Sequence, residues 1–368
     1  MAPAFKVAAC HVAPVYLNAA ETTKRCVSLI NEAADNGAHL VVFPETYIPA
    51  FPFWSSVLSP ADSHGFFIKM AKESVYADGD ELTAVSTVAK ERNVYVSLGV
   101  SEKVRYSSAT LFNSNFIFGP SGDVLVHHRK LQATFFERLT WSMGDGNGLK
   151  VVECAPSGPE GPRAKIGALV CGENTNPLAR YTLIAQGEQF HISTWPAKWP
   201  TKPITSPASA ESANPTSKDP TRGEFDNVVL NRTRCASQCV EGKCFGVLCA
   251  GFMSPEMIDT LLSMTPASGK GVMKLTMEHS AQAETLFLGP SGAPIPAYTI
   301  DSKTGERDEV GVLRHQQGIL YADMDMDATI EGKQFHDVVG GYQRFDVFDL
   351  KVNLVRRQPV NFVGADSG

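Results

Sequence analysis

A series of short, continuous apolar runs, alternating with amphipathic segments, is the feature that most constrains the fold of this chain. Residues 38–43 (AHLVVF) form one such run, and residues 166–172 (IGALVCG) form another. Apolar runs of this kind, bounded by glycine and proline, are typical of strands covered on both faces. The clearest helix signal follows the second run, where Asn176 can cap a helix that begins at Pro177. We therefore predict an α/β protein.

The remaining periodic segments extend this pattern along most of the chain. Strands are expected at 5–11, 94–100, 111–118, 123–130, 190–194 and 245–251, and helices at about 20–34, 80–92, 177–189 and 224–240. The turn Gly-Pro-Ser-Gly at 119–122 recurs at 289–292, again between strand-like segments. This recurrence predicts that each half of the chain contributes a similar sheet.

The organisation into domains follows from the same alternation. Length alone, at ~150 residues per domain, predicts about two domains. No linker is distinct enough to divide the strands and helices, so we predict one large domain over residues 1–334. Residues 335–368 alternate only weakly and then become polar, which indicates a C-terminal arm engaged in contacts between subunits. The Pro/Ser/Lys-rich stretch at 195–219 is expected to be the longest loop.

Charge and cysteine content exclude several functional classes. The net charge is −6 and no long Lys/Arg cluster occurs, which argues against a nucleic-acid or anionic-membrane partner. No run approaches the ~18 apolar residues that cross a bilayer, and no secretory signal is evident, so we expect a cytoplasmic protein. Eight cysteines are too dilute for a disulfide scaffold. Four of them lack the paired spacing of a zinc site and are expected to be buried thiols: Cys235, Cys239, Cys244 and Cys249.

Chemistry-bearing side chains follow three of the predicted strands. Glu45 lies in VVFPET, Lys130 in VHHRKL and Cys171 in GALVCGEN. Taken singly, a cysteine in an apolar strand is usually a core residue, and a charge after a strand is usually solvated. Taken together, at strand ends where sheets of this class place binding groups, the three indicate an active site.

These residues and their surroundings resemble the nitrilase branch of the carbon–nitrogen hydrolase superfamily. The likeness covers nearly the whole chain and is carried by GAHLVVFPET around Glu45, by HRKLQATFFERLTWSMGDG at 128–146 and by CGENTNPLARYTLIAQGEQFHISTWP at 171–196. The resemblance implies an α-β-β-α sandwich and a Glu–Lys–Cys triad. It also implies a second carboxylate seven residues after the lysine, which falls on Glu137.

The resemblance extends to cofactors and assembly. It implies a reaction that needs no cofactor and no metal. It also implies a dimer built on helices near 177–188 and 224–240, which many relatives extend into spiral filaments. His127 and His128 have no partner histidine or cysteine at useful spacing, so we interpret them as structural residues rather than metal ligands.

The roles implied for the triad agree with the chemistry of its side chains. A thiol with an ordinary pKa of about 8.5 needs a base and nearby positive charge to act at neutral pH, and Glu45 and Lys130 supply one each. A fixed cation at ~4 Å from developing negative charge is worth roughly 4 kcal/mol at an effective dielectric of 20. The Gly172 N–H is a further donor. Glu137 either orients Lys130 or is a helix-face carboxylate paired with a neighbouring arginine.

The reaction expected from these residues is the hydrolysis of a nitrile to a carboxylic acid and ammonia through a Cys171 thioimidate and thioester. Two alternatives stay within the fold, namely amide hydrolysis and the hydration of a nitrile or cyanide that stops at the amide. A third is a non-catalytic scaffold. The product, acid or amide, separates hydrolysis from hydration.

The pocket around the nucleophile is expected to be roomy. Tryptophan often follows the cysteine in this branch, whereas this chain has Gly172, and the missing indole predicts space for aryl or arylaceto nitriles. Five further residues are expected either as pocket walls or as core: Phe51, Phe53, Trp54, Thr134 and Trp195.

Overall fold

Two β-sheets packed face to face form the centre of the molecule in the computed structural model, which describes residues 4–155, 163–207, 209 and 226–360. The larger sheet contains β1 (Phe5–His11), β2 (Leu40–Val42), β3 (Val75–Tyr76), β4 (Tyr95–Lys103), β5 (Leu111–Phe118), β6 (Val124–Arg129), β12 (Tyr298–Ile300), β13 (Arg307–Glu309) and β14 (Gly318–Met324). The smaller sheet contains β7 (Val152–Cys154), β8 (Ala164–Val170), β9 (Phe190–Trp195), β10 (Phe245–Ala250) and β11 (Leu286–Leu288).

Strand order explains why the expected catalytic residues share one edge. The larger sheet runs β13-β12-β14-β1-β2-β4-β5-β6, with β3 beside β4, and the smaller runs β11-β10-β9-β8-β7. Strands β1, β2 and β4 are parallel, as are β8, β9 and β10. Two antiparallel steps, β4 to β5 and β5 to β6, bring β6 back to the direction of β4. The chain therefore leaves β2, β6 and β4 at the same edge.

Helices cover the outer faces of both sheets. Their bounds are α1 (Ala19–Asp35), α2 (His64–Glu73), α3 (Asp80–Arg92), α4 (Pro177–Ile184), α5 (Asn227–Gly242), α6 (Pro255–Met264), α7 (Lys270–His279) and α8 (Ala328–Glu331). Helices α1 and α3 pack on the larger sheet through residues such as Ile30 and Val85. Helix α5 packs on the smaller sheet through Cys235 and Cys239. The α-β-β-α sandwich is thus confirmed.

The core between the sheets is made by the inward faces of their strands. Phe5 and Leu40 of the larger sheet meet Phe190 and Val247 of the smaller one, and all four side chains are buried. The Phe5 and Phe190 ring centroids are 5.0 Å apart. Rings and aliphatic chains removed from water in this way contribute roughly 25 cal/mol per Å² of apolar surface, so the docking of the sheets stabilises both.

The recurrent turn has the same conformation in both places. In each copy the first glycine N–H donates to the carbonyl of the residue directly after the turn, Asp123 at 2.9 Å and Ala293 at 2.8 Å. The last glycine has positive φ, 89° at Gly122 and 77° at Gly292, a conformation that L side chains rarely adopt. The first turn joins β5 to β6 in the larger sheet, and the second follows β11 in the smaller one. Strands β1–β6 thus belong to the larger sheet and β7–β11 to the smaller one, before β12–β14 return to the larger sheet. The change of sheet falls between Arg129 and Val152 rather than at the middle of the chain.

Three sequence expectations fall partly outside the described residues. These are the loop at 195–219, of which 208 and 210–219 are not described, the start of the helix expected at 224–240, and the end of the C-terminal arm after residue 360. The eight cysteines are all free and buried. They include Cys235 and Cys239 of α5, Cys249 of β10 and Cys244 between the two elements. Among the described helices, none is long and apolar enough to cross a bilayer.

Candidate active site

Glu45 lies in the turn after β2, with 3% of its surface exposed. Its Oε1 accepts hydrogen bonds from Asn113 Nδ2 at 2.7 Å and from Lys130 Nζ at 2.9 Å. Its Oε2 is buried without a hydrogen-bond partner among the described residues. Thr46, the next residue, has a φ of 52°. An unpartnered carboxylate oxygen and a strained neighbour both have an energetic cost, and such features are concentrated at functional sites.

Lys130 follows β6 directly, so the strand carries its ammonium to the same edge. Its Nζ donates to Glu45 Oε1 at 2.9 Å and to Glu137 Oε2 at 2.6 Å. The backbone N–H of Lys130 donates to the Asn113 carbonyl at 2.7 Å. One buried cation is thus shared by two buried carboxylates.

Glu137 is held by three donors in a 3-10 helix (Phe135–Leu139). Lys130 Nζ and the Thr134 N–H, at 3.0 Å, donate to its Oε2, and Trp199 Nε1 donates to its Oε1 at 3.1 Å. The Cys171 Sγ lies 4.0 Å from the same Oε1. The interpretation of Glu137 as a helix-face carboxylate paired with an arginine is therefore wrong, because its partners are the lysine, a backbone N–H and an indole.

Cys171 occupies the junction between β8 and a 3-10 helix (Cys171–Thr175), with a φ of 51°. Asn174 stabilises this turn, because its side-chain amide donates a hydrogen bond to the Cys171 carbonyl at 2.9 Å. His191 in turn holds Asn174 Oδ1 at 2.7 Å. Left-handed backbone at a non-glycine residue costs of order 1–3 kcal/mol, and here the surrounding hydrogen bonds maintain it and aim the thiol at the cluster.

Glu173 connects the strand ends that carry Cys171 and Lys130. Its carboxylate accepts from the Val170 N–H at 2.9 Å, from the Leu131 N–H at 2.5 Å and from His128 Nε2 at 2.9 Å. Because β8 and β6 belong to different sheets, this one buried carboxylate links the two sheets at the site. His127 pairs instead with Glu102 at 2.8 Å, so both histidines have the structural role expected of them.

The electrostatics of the cluster determine which of its groups are protonated at rest. Burial raises the pKa of Glu45 to about 7. Burial by itself lowers the pKa of Lys130, but the facing thiol and carboxylates raise it well above its usual value, so the ammonium stays charged. Burial also raises the pKa of Cys171 well above its usual range, Glu45 adds to the shift, and Lys130 and the Gly172 N–H oppose it. The resting thiol is therefore protonated and needs a base.

The same cluster bears on metal binding. Ligand atoms of Glu45, Glu137 and Cys171 lie within 4.8 Å of one another. Lys130 already forms ion pairs with both carboxylates. Its ammonium therefore supplies, from the protein itself, the positive charge that a metal ion would bring to the two carboxylates.

Comparison with known proteins identifies the family. A model described as carbon-nitrogen hydrolase matches residues 6–213, more than half of the chain. The chain belongs to the carbon–nitrogen hydrolase family. It is 31% identical to an arylacetonitrilase of Fusarium vanettenii over 98% of this chain and 96% of that protein. It is 29% identical to an aliphatic nitrilase of Rhodococcus rhodochrous over 97% of this chain and 85% of that protein. The resemblance to the nitrilase branch is thereby confirmed, and the protein is a hydrolase.

The fold of this carbon–nitrogen hydrolase also matches that of solved members. The structure of a carbon-nitrogen hydrolase from Helicobacter pylori G27 superposes with a TM-score of 0.61 over 93% of this chain and 96% of that one, at 14% identity. A similarity at this identity supports the shared sandwich and nothing finer.

Two cavities flank the cluster of this hydrolase. Cys171 lines the first, together with Thr134, Gly172, Trp195 and Trp199, and with Asn227, Asn231 and Arg234 from α5. Glu45 lines the second, together with Phe51 and Phe53. Of the residues expected as pocket walls, Thr134 and Trp195 therefore lie beside the nucleophile, whereas Phe51 and Phe53 lie beside Glu45.

Trp54 has a different position. It is 1% exposed and stacks on Phe66 of α2, with ring centroids 4.9 Å apart. It belongs to the core formed by α2, α6 and α7 over the edge of the sandwich and lines neither of the two cavities described above. Its aromatic neighbours in the sequence led to the prediction that it lines the pocket. In the structure it packs against α2 in the core.

The expectation that Gly172 leaves open space is wrong. A Cβ at this position would lie 2.7 Å from Thr134 Oγ1, closer than real contacts of this kind. Thr134 therefore occupies the volume in which a side chain at residue 172 would begin. The glycine permits the close approach of the loop that carries Thr134. The aromatic walls of the cavity are Trp195 and Trp199.

Several residues at the site have no clear signal in the sequence. Asn113 is a polar residue inside an apolar strand, which is its only signal. Trp199 lies in the Pro/Lys-rich loop, where no periodicity marks it. The three residues of α5 at the cavity are spaced at i, i+4 and i+7, a helical face that the neighbouring buried cysteines obscured.

Proposed function

We propose that this protein hydrolyses an organic nitrile to the carboxylic acid and ammonia, with Cys171 as the nucleophile. The observation that carries the proposal is the convergence of a buried thiol, a buried ammonium and two buried carboxylates within hydrogen-bonding reach of one another. The nitrilases among the similar proteins support the choice of a nitrile as substrate.

The chemistry assigns one role to each group. Glu45 takes the proton of the Cys171 thiol, and Sγ adds to the nitrile carbon to form a thioimidate whose nitrogen receives a proton. Water adds, ammonia leaves and a second water hydrolyses the thioester, so that one nitrile and two waters give one acid and one ammonia. Proton transfer of this kind contributes typically 10²–10⁴-fold to a rate.

The other polar groups stabilise charge that develops during the reaction. Lys130 carries the fixed positive charge of the cluster, and a cation held in a dry site is far more effective than one in water. The Gly172 N–H supplies a donor beside the sulfur. Glu137 holds Lys130 in place and is itself held by Trp199, which makes it an orienting group for the ammonium and for water.

Aryl and arylaceto nitriles are the substrates that we propose for this pocket. The indoles of Trp195 and Trp199 line the cavity that contains Cys171, and aromatic walls favour a flat apolar group by stacking and by burial of apolar area. Amide hydrolysis, and hydration that stops at the amide, use the same four groups. A product assay that resolves acid from amide separates these reactions.

Replacement of the nucleophile tests the proposal. We expect Cys171→Ala to lower turnover of a nitrile panel by at least about a thousandfold, as is typical when one member of a catalytic unit is lost, without loss of the folded state. Ammonia release and circular dichroism measure the two effects. Cys154→Ala is the matched control, since Cys154 is a buried thiol of β7 outside the cluster, and it should keep most of the activity. Substantial turnover by Cys171→Ala would overturn the mechanism.

A further inference from the structure

The cavity that contains Cys171 has two unlike walls. One is aromatic, formed by Trp195 at the end of β9 and by Trp199. The other is a single polar face of α5, where Asn227, Asn231 and Arg234 follow one another at helical spacing. The aromatic wall suits an apolar group of the substrate. The polar wall has no role in the steps assigned above.

Arg234 is the charged residue of this polar wall. Its Nη1 donates to Asn231 Oδ1 at 3.2 Å, and its guanidinium carbon lies 5.6 Å from the centroid of the Trp195 ring. Asn231 is itself 5% exposed, so the polar wall is built into the fold rather than lying on its surface. Arg234 and Cys171 line the same cavity, and burial lowers the pKa of Arg234.

A guanidinium remains charged at any physiological pH, and its planar set of five N–H donors matches a carboxylate. It can bind a carboxylate beside the partners that it already has. A neutral apolar group placed against the guanidinium would displace water and would not replace the hydrogen bonds that the water made, which is unfavourable. A cationic group would be repelled. The polar wall therefore discriminates among substrates by charge.

We infer that this active site selects nitriles that carry a carboxylate remote from the nitrile carbon, with Arg234 binding the carboxylate. The inference rests on the proposed nitrile hydrolysis and specifies its substrate class. Arg234 is a specificity-determining residue, and it takes no part in the addition of Sγ to the nitrile carbon.

The test compares matched pairs of nitriles. Each pair contains a carboxylate and a neutral compound of the same shape in which isopropyl replaces the carboxylate: meta-cyanobenzoate with meta-isopropylbenzonitrile, and cyanobutanoate with its isosteric branched alkyl nitrile. The aromatic and aliphatic pairs separate the effect of charge from that of shape. We expect the native enzyme to show a kcat/KM at least about tenfold higher for the charged member of one or both pairs, as a charge-assisted hydrogen bond provides.

Substitution of Arg234 gives the decisive comparison. Arg234→Gln should lower kcat/KM for the charged nitrile roughly 10- to 100-fold while the neutral partner changes by less than about threefold, and Arg234→Lys should fall between, since it keeps the charge and loses the planar fork. The matched control is Arg232→Gln on the same helix, where the guanidinium pairs with Glu284 at 2.6 Å outside the cavity. That variant should keep the native preference for charge.

The outcomes separate the two proposals. If the native enzyme hydrolyses no nitrile of either kind, the proposed function itself fails. If it hydrolyses both members of each pair equally well, or if Arg234→Gln lowers both equally while the protein remains folded, only the inference about charge is overturned. Should Arg234→Gln fail to fold, Arg234→Lys and the native preference decide the question. High salt should also weaken the preference, because it screens the ion pair.

Discussion

Glu45 is the residue whose surroundings control the protonation of the whole cluster. Its carboxylate faces the same ammonium as Glu137, and burial opposes its ionisation. Since Cys171 is protonated at rest and Lys130 keeps its charge, the reactive form is the one in which Glu45 has lost its proton.

A pH profile follows directly. Because the pKa of Glu45 is raised to about 7, the proportion of enzyme with an ionised base increases as the pH rises through 7. We expect kcat/KM to be half-maximal near pH 7 and to fall about tenfold per pH unit well below it. Ammonia release between pH 5 and 9 measures this, and alkylation of Cys171 by iodoacetamide should follow the same curve. A half-maximum near the ordinary carboxyl pKa of about 4.5 would contradict the assignment of the base.

At this scale the sequence identified more of the cluster than of its surroundings. Glu45, Lys130 and Cys171 are predicted because each lies at the end of a predicted strand, and Glu137 is implied by the resemblance to the nitrilase branch. The fold brings the four together. The environment of Gly172 was misread, because the space at a glycine depends on a loop that packs against it from elsewhere in the chain. Asn113 and Trp199 were not predicted either, because each joins the site through a hydrogen bond to a residue far away in the sequence.

Strand ends from different sheets have to be held at a fixed separation for the cluster to form. Glu173 does this by accepting hydrogen bonds from the Val170 N–H at the end of β8 and from His128 Nε2 and the Leu131 N–H around the end of β6. Burial alone would raise the pKa of Glu173, but His128 and the two backbone donors lower it below its usual value. The negative charge is therefore part of the connection.

Glu173→Gln should loosen this connection. We expect kcat/KM to fall roughly 10- to 100-fold, since hydrogen bonds to a buried charge contribute about 1.5–3 kcal/mol, and we expect alkylation of Cys171 to slow in parallel. Glu284→Gln is the control, because Glu284 is a buried carboxylate paired with Arg232 away from the cluster. Both variants should lose thermal stability, but only Glu173→Gln should lose Cys171 reactivity. Equal reactivity in the two would contradict the positioning role.

Elements were predictable where local signals marked them. The strand expected at 111–118 is β5, and the helix capped by Asn176 is α4, whose first turn donates to the Asn176 side chain at 3.0 Å. The return strand β14 was not predicted, because it is recognisable as a strand chiefly by its pairing with β1, far away in sequence. The local pattern of apolar residues does not reveal contacts between segments that are distant in the sequence.

The C-terminal arm carries large apolar side chains that are exposed to solvent. Phe345 is 71% exposed and Phe348 is 73% exposed. The arm is nevertheless tied to the domain near its end, where Arg356 lies 3.3 Å from Asp145 and donates to Asn147 Oδ1 at 3.1 Å. Exposed apolar surface of this kind marks an interaction site, and we propose that the arm binds another copy of this chain.

Removal of the arm tests its role in assembly. A chain ending at residue 334 should form smaller oligomers than the full-length protein by light scattering, because the exposed aromatic contacts are lost. Arg356→Ala keeps those aromatics and removes the side-chain contacts with Asp145 and Asn147, so it should assemble but with a less uniform size. An unchanged size after truncation would show that the arm does not join subunits.

The division of the catalytic groups between the sheets has a consequence for how the protein matures. The larger sheet carries both carboxylates and the lysine, whereas the smaller sheet carries the thiol. A folding intermediate with either sheet complete but undocked holds a base without a nucleophile or a nucleophile without a base. The nucleophile and its base are therefore brought together only when the two layers close on each other.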